Sequence, residues 1–256
     1  MRNAAWTTSV SVLDRVTALF DAFGEHDEGL GVSELARRAN LPKSTVSRIA
    51  ADLVDQRFLD REGSKLYLGI RLFELGQTVA EPRKLREAAL PLMNELSLAT
   101  GRSVHLAVLE HADVILVAVV RGGRELKPLG RVGERRPAHA TALGKAILAF
   151  SAHDVAAEAV RGVLDPHTRR THSEPSKLLR ELAEIRKTRI ATELEEYAAD
   201  IVSVASPVLG HLSVPVAAIS VAGPTEKMDA RGLAPTVRSA AVNLSHRIGA
   251  GRNRPA

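Results

Sequence analysis

The chain of 256 residues contains no cysteine, and aromatic side chains make up only 3% of it, with a single tryptophan. Without cysteine there is no disulfide framework, no thiolate-bound zinc or iron–sulfur cluster and no thiol nucleophile. Long apolar runs are also missing, since runs such as Val114 to Val120 are far shorter than the roughly 20 residues that span a bilayer. The opening residues lack the apolar segment of a secretory signal. We therefore expect a cytoplasmic protein with no membrane partner.

The residues that are present favour a folded protein of one large or two modest domains, because 45% of them are apolar. The formal net charge is +5, but it is spread unevenly. Residues 1–80 hold ten basic and eleven acidic side chains, whereas residues 121–145 hold seven basic and two acidic ones. We expect this second stretch to help attract an anionic small molecule, and a solvated basic surface is the alternative.

The first 80 residues show the periodicity of three short helices. Apolar residues at helical spacing predict a helix over 12–23, with Gly24 as its left-handed C-cap. Ser33 is expected to cap a second helix over 34–39. A third helix is predicted over 42–56, because its apolar side chains fall on one stripe and leave a polar, cationic opposite face.

A hairpin follows the third helix, with alternating runs at 58–61 and 65–68 around Gly63. Three helices and a hairpin in this order indicate a winged helix-turn-helix, whose third helix enters the major groove of DNA. Arg48 suits a two-point contact to guanine, while Lys43 and nearby hydroxyl groups suit phosphates. An ordinary helical hairpin with a solvated polar face is the alternative. The predicted DNA-contacting residues are Ser33, Lys43, Ser44, Thr45, Ser47, Arg48, Arg61 and Lys65.

The rest of the chain mixes helical and extended patterns, which predicts an α+β fold. A long amphipathic helix over 81–100 comes first. The predicted strands are 103–110, 114–121, 126–129, 190–194, 201–208 and 214–221, and the further helices are 140–150, 154–160, 177–188 and 234–248.

Motifs for catalysis are missing from this region. Gly144-Lys145 resembles the end of a phosphate-binding loop, but Ala146 stands where the magnesium ligand belongs. His167 and His172 lack the spacing of a helical zinc pair. Glu193, Glu195 and Glu196 are interpreted as a charged turn rather than acid–base groups. We therefore expect no catalytic residue, no metal site and no cofactor.

Five stretches resemble one protein family: 33–38 (SELARR), 41–48 (LPKSTVSR), 68–76 (LGIRLFELG), 137–149 (PAHATALGKAILA) and 217–224 (AAISVAGP). They look like the motifs of IclR-type bacterial transcriptional regulators, in the same order and covering nearly the whole chain. The resemblance implies a winged helix-turn-helix DNA-binding domain over 1–78, a linker helix over 81–100, and a GAF-like effector domain with an antiparallel sheet over 79–256. It also implies a homodimer or tetramer on a roughly palindromic operator.

The resemblance further implies a small-molecule effector, expected to be anionic, between the sheet and residues 139–145. Backbone N–H groups of Ala142 and Leu143 would hold a carboxylate. The sequence departs from the family at three positions, with Glu193 for an aspartate, Ser203 for a cysteine and Ala222 for a serine. The implied effector residues are His139, Thr141, Ala142, Leu143, Glu193, Ile201, Ser203, Ser220 and Ala222.

Two alternatives from other functional classes stay open at this point. The chain could be a small-molecule enzyme or carrier in which the helix-turn-helix is only structural. It could also be a sensor that acts through protein partners. Sequence-dependent binding to DNA is expected of a transcriptional regulator and of neither alternative.

Overall fold

The computed structural model describes residues 11–24, 27–123, 129–161 and 164–252. The chain divides into two compact units, with the boundary after Ala80. In the described ranges no helix combines the length and apolarity needed to cross a membrane.

In its described residues the first unit contains four helices and a three-stranded antiparallel sheet with strand order β1-β3-β2. Apolar side chains from the helices and from the strands pack together in one core. Its fully buried members include Leu19, Leu35, Val46 and Leu66. The elements are α1 Val12–Asp21, β1 Leu30–Gly31, α2 Val32–Arg38, α3 Lys43–Asp55, β2 Leu59–Glu62, β3 Lys65–Leu68 and α4 Ile70–Thr78. The predicted winged helix-turn-helix is confirmed.

Two details of these helices were predicted wrongly. Helix α1 ends at Asp21, and Gly24 is not left-handed, because the chain leaves the helix through a turn in which Phe23 N–H donates to the Phe20 carbonyl. Ser33 lies inside α2 and does not cap it. The N-cap is Gly31, which is fixed there because it pairs with Lys65 in the sheet. Helix α4 was not predicted.

The second unit is built on a six-stranded antiparallel sheet with strand order β6-β5-β4-β9-β8-β7. The α+β prediction is confirmed. Strand β6 was not predicted, and the strand predicted at 126–129 falls outside the described residues except for Leu129. The elements are α5 Ala80–Thr100, β4 Ser103–Glu110, β5 Asp113–Val120, β6 Arg135–Pro137, α6 Ala142–Leu148, α7 His153–Ala159, α8 Pro175–Thr188, β7 Ala191–Leu194, β8 Ile201–Leu209, β9 Pro215–Pro224 and α9 Ala230–Arg252.

Each face of this sheet is covered by helices, because alternate residues of the strands are apolar on both sides. On one face Ala107, Ala205 and Ala218 pack against α6 and α8. On the other face Leu106 and Ile219 pack against α5 and α9. The small alanine side chains on the first face bring α6 close to the sheet.

Candidate DNA-contacting surface and effector site

Helix α3 separates its core face from its polar face cleanly. Val46, Ile49, Ala50 and Leu53 are buried, so the side chains between them point away from the core. Lys43, Ser44, Ser47 and Arg48 are exposed and Thr45 is half-buried. The structure therefore gathers five of the eight predicted DNA-contacting residues on one accessible helical face.

The remaining three lie on other elements of the same unit. Ser33 is exposed on α2, and Arg61 is exposed near the tip of the hairpin. Lys65 is also exposed, but its Nζ donates a 2.8 Å hydrogen bond to the Glu28 carbonyl. Lys65 thus ties the hairpin to the preceding loop, which limits its freedom to reach a phosphate.

Neighbouring arginines on α2 are engaged within the protein. Arg38 pairs with Asp27 at 2.7 Å, and both Arg37 and Arg38 hydrogen bond Glu34. The hydrogen bonds from Arg37 and Arg38 lower the pKa of Glu34 to about 2. Among the described residues no such ion pair is found for Lys43, Arg48 or Arg61, which leaves these cations available for DNA.

The strand residues of the implied effector site share one face of the large sheet. Glu193, Ser203 and Ala222 stand side by side across β7, β8 and β9. Ser220 is two residues before Ala222 and Ile201 is two residues before Ser203, so both point to the same side. This is the face that α6 covers, because Ala205 and Ala218 share its alternation.

The side chains of Glu193 and Ser203 hydrogen bond to each other on this face. Ser203 Oγ donates to Glu193 Oε2 at 2.7 Å, and the backbone N–H of Tyr197 donates to Oε1 at 3.3 Å. Burial raises the pKa of Glu193 despite these two hydrogen bonds. The carboxyl group is therefore easier to protonate than an ordinary glutamate.

The segment before α6 is held by its own hydrogen bonds. Thr141 Oγ1 donates to the Pro137 carbonyl at 3.0 Å and accepts from Gly144 N–H at 3.2 Å. His139 Nε2 lies 3.1 Å from the Asp165 carbonyl oxygen, and burial lowers its pKa. The helix begins at Ala142, two residues later than predicted, because Thr141 is extended and serves as the N-cap.

Arg136, which sequence reasoning did not select, lies beside the implied effector residues. It pairs with Val114, which packs in the α6-side core, so it points toward the same face. Its Nε contacts Glu134 Oε1 and its Nη2 contacts the Leu129 carbonyl, both at 2.7 Å. Its guanidinium carbon is 5.2 Å from the centre of the Tyr197 ring. Strand β6 has only three residues, too few to show an alternation in the sequence.

His105 is the second missed residue. It stands directly opposite Ser220 in the β4–β9 register, and both residues are about 1% exposed. Neither His105 Nε2 nor Ser220 Oγ has a hydrogen-bond partner in the part of the chain that the structure describes. The sequence does contain a signal for His105. It lies two residues after Ser103 and two residues before Ala107, so on a strand these three side chains point to the same face, the one covered by α6.

Lys145 lies at the centre of a buried ionic cluster beneath α6. Its side chain is 0% exposed, and its Nζ is 2.7 Å from Glu181 Oε1 and 2.8 Å from Glu196 Oε1. His172, Glu181 and Glu196 place potential metal ligand atoms within 4.8 Å of one another. The Lys145 ammonium, however, already bonds both carboxylates. The cluster joins α6 to α8 and to the turn after β7.

Comparisons with known proteins agree with this architecture. The model of the IclR helix-turn-helix domain matches residues 12–63, and that of the C-terminal domain of bacterial transcriptional regulator IclR matches residues 77–246. The glycerol operon regulatory protein of Streptomyces coelicolor is 31% identical over 95% of this chain and 98% of its own. KdgR, an HTH-type transcriptional regulator of Escherichia coli, is 30% identical over 85% of this chain and 83% of its own.

A solved structure with the same fold comes from Microbacterium hydrocarbonoxydans, an IclR homologue complexed with 4-hydroxybenzoate. It superimposes with a TM-score of 0.85 at 29% identity and covers 94% of this chain and 100% of its own.

Proposed function

The chain belongs to the IclR family of bacterial transcriptional regulators, and we propose that residues 1–78 bind operator DNA while residues 79–256 bind an organic acid that changes this binding. The observation that carries the DNA-binding proposal is the division of α3, whose apolar stripe is buried while Lys43 and Arg48 stay exposed. A regulator of this kind acts in the cytoplasm, where its operator lies.

In the proposed complex α3 enters the major groove. Arg48 donates to the edge of a guanine, because its guanidinium presents two parallel N–H groups. Lys43, Ser44, Thr45 and Ser47 contact phosphates and the flanking bases at the start of the helix. Ser33 and Arg61 contact the backbone beside the groove, and Lys65 joins them when its ammonium exchanges the Glu28 carbonyl for a phosphate.

The test uses a site selected from random-sequence DNA with the full-length protein. Arg48→Ala is expected to lose about 1–3 kcal/mol of binding free energy on that site and to relax preference at one base position. The matched control is Arg57→Ala, an exposed arginine whose guanidinium lies 3.7 Å from Glu74. Equal losses on the selected site and on random DNA contradict base recognition by Arg48. A wild-type protein with no sequence-dependent binding instead favours an enzyme, a carrier or a protein-partner sensor.

We place the effector between α6 and the sheet face that carries Ser203 and Ser220. The Microbacterium homologue binds an aromatic acid, and Arg136 offers this chain a guanidinium that is only 14% exposed on the same side of the sheet. The proposed effector residues are Arg136 together with His139, Thr141, Ala142, Leu143, Glu193, Ile201, Ser203, Ser220 and Ala222.

The effector is tested by thermal shift with a panel of small organic acids, followed by operator binding in the presence of each acid that stabilises the protein. Arg136→Met is expected to weaken binding of such an acid at least tenfold, since a buried charge-assisted contact is lost. Arg135→Met is the matched control, because Arg135 is 51% exposed and pairs with Asp113. Equal effects of the two substitutions contradict the assignment of Arg136.

The signal is proposed to reach α5 through the sheet. Helix α5 packs on the face opposite α6 through residues such as Leu92 and Met93, together with Leu106 and Ile219. An effector that prefers one arrangement of this layered unit shifts the population toward it, and operator affinity follows.

We also propose that the protein acts as a homo-oligomer, a dimer or tetramer, so that paired recognition helices meet a palindromic site. Helix α4 supports this proposal because it buries none of its residues. Ile70 and Phe73 are 57% and 63% exposed. Light scattering of Phe73→Ser is expected to show a smaller assembly than the wild type, and an unchanged mass contradicts a role for α4.

A further inference from the structure

The buried pair His105 and Ser220 is unusual in the large sheet because one polar atom of each side chain has no hydrogen-bond partner among the described residues. The residues are directly opposite in the β4–β9 register, so their side chains leave the sheet as neighbours on the α6 side. Buried polar atoms in folded proteins are nearly always hydrogen bonded. Among the described residues, however, His105 Nε2 and Ser220 Oγ are not.

The polar neighbours of this pair already have partners. Ser103, two residues before His105 on the same face, accepts a hydrogen bond from the Gly122 N–H at 3.2 Å. Ser203 donates to Glu193 at 2.7 Å. The other neighbours are small and apolar, since Ala205 is opposite Ser220 on β8 and Ala222 follows two residues later on β9. The two unpaired atoms therefore lie on the face where the effector is proposed to bind, beside polar groups that are already hydrogen bonded.

The chemistry of the two atoms defines what they can bind. Burial, followed by the nearby Arg136 charge, lowers the pKa of His105 to about 3, so the imidazole is neutral. The Leu129 backbone opposes this shift as a hydrogen-bond acceptor, and because Nε2 has no partner among the described residues, we assign the ring proton to Nδ1. Nε2 is then a hydrogen-bond acceptor, while the Ser220 hydroxyl can donate or accept.

A carboxylate oxygen cannot satisfy both atoms, because it has no hydrogen to donate to Nε2. A hydroxyl group can satisfy both, since it donates to Nε2 and accepts from Ser220 Oγ at the same time. Arg136, on the same side of the sheet, suits the acidic end of the same molecule.

We propose that His105 and Ser220 form a subsite for one hydroxyl group of the effector, so that the effector is a hydroxy acid rather than a simple carboxylic acid. This inference rests on the proposed function, since it specifies the ligand class of the same site.

The test measures the affinity of the full-length protein by calorimetry for matched acids with and without one hydroxyl group. The probes are 4-hydroxybenzoate and 3-hydroxybenzoate, each compared with benzoate, and lactate compared with propionate. At least one hydroxylated probe is expected to bind ten times more tightly than its counterpart. A site that hydrogen bonds a hydroxyl group discriminates in this way because its polar atoms stay unpaired with the other ligand.

Variants identify the atoms responsible for this preference. His105→Phe and Ser220→Ala are each expected to reduce the tenfold preference to below threefold. His105→Gln, which keeps an acceptor, is expected to restore part of it. Ser206→Ala is the matched control and should keep the full preference, because Ser206 is a buried serine opposite Ile219 on the other face of the same sheet. Thermal melting of each variant verifies that it is folded.

Three results overturn the inference. The first is equal affinity for the hydroxylated and plain acids, which means that the two atoms do not recognise a hydroxyl group of the ligand. The second is a preference that survives in both His105→Phe and Ser220→Ala. The third is binding of plain acids with no binding of any hydroxylated probe. In all three cases the proposed organic-acid function still stands, whereas a protein that no organic acid stabilises refutes both.

Discussion

Replacing Lys145 by methionine tests whether the buried ionic cluster holds α6 against α8 and the turn after β7. The side chains have similar volume, so the substitution removes the positive charge and leaves almost no cavity. The ammonium bonds Glu181 and Glu196 at 2.7 and 2.8 Å. Glu196 is 6% exposed at its side chain and Glu181 is 26% exposed.

Removing one partner of a buried ion pair costs about 3–5 kcal/mol, because the remaining charge is left without compensation. Glu181 can recover part of its hydration through its exposed fraction, whereas Glu196 cannot. We therefore expect Lys145→Met to lower the free energy of unfolding by about 3 kcal/mol. The double variant Lys145→Met/Glu196→Gln should recover at least about 1 kcal/mol, since the buried anion becomes neutral.

The measurement is urea denaturation followed by far-ultraviolet circular dichroism, with the transition of the C-terminal unit compared between variants. The matched control is Lys177→Met, because Lys177 also pairs with a glutamate at 2.8 Å but both side chains are more than half exposed. Such a surface pair contributes about 0–1 kcal/mol. A loss in Lys145→Met no larger than in Lys177→Met, or a double variant less stable than the single one, refutes the reasoning.

Two further predictions concern the backbone and the pH dependence. Gly69→Ala should destabilise the first unit by roughly 1–3 kcal/mol in thermal melts, because its methyl group would overlap the Arg57 carbonyl oxygen. Gly76→Ala, inside the helix α4 that follows Gly69, has open space and should stabilise the first unit by up to about 1 kcal/mol; equal effects contradict the steric argument. His105 has a folded-state pKa of about 3 against an ordinary 6.5, so the unfolded chain binds the extra proton and stability falls as pH drops from 6.5 toward 3. Urea denaturation from pH 7 to 4 should show a shallower fall for His105→Phe, and parallel curves exclude this contribution.

The elements of both units were largely predictable because their apolar spacing is regular. Strand β4 occupies the predicted residues 103–110, and α3 and the hairpin lie within one or two residues of their predicted bounds. The errors lie where long-range pairing decides. Ser33 has the chemistry of an N-cap, but the pairing of Gly31 with Lys65 starts α2 earlier.

The charge distribution shows the same limit. Residues 121–145 carry the largest basic surplus, which suggests an exposed positive surface. In the folded protein Lys145 is buried between two glutamates, and Arg136 is paired with Glu134. Arg124 and Lys127 lie outside the described residues. A count of charges along the chain does not include partners that come from distant segments.

The sequence by itself determined the family, the winged helix-turn-helix, the α+β effector unit and the residue types on α3, because each depends on local periodicity or on contiguous motifs. Only the tertiary structure decided that His105 Nε2 and Ser220 Oγ are neighbours with no hydrogen-bond partner among the described residues, that Arg136 points toward the α6 side, and that Lys145 is an internal counter-charge. These properties depend on strand register and on contacts across 22 residues or more. The physical reason is that hydrogen bonds and charges are satisfied in three dimensions, whereas apolar periodicity is recorded along the chain.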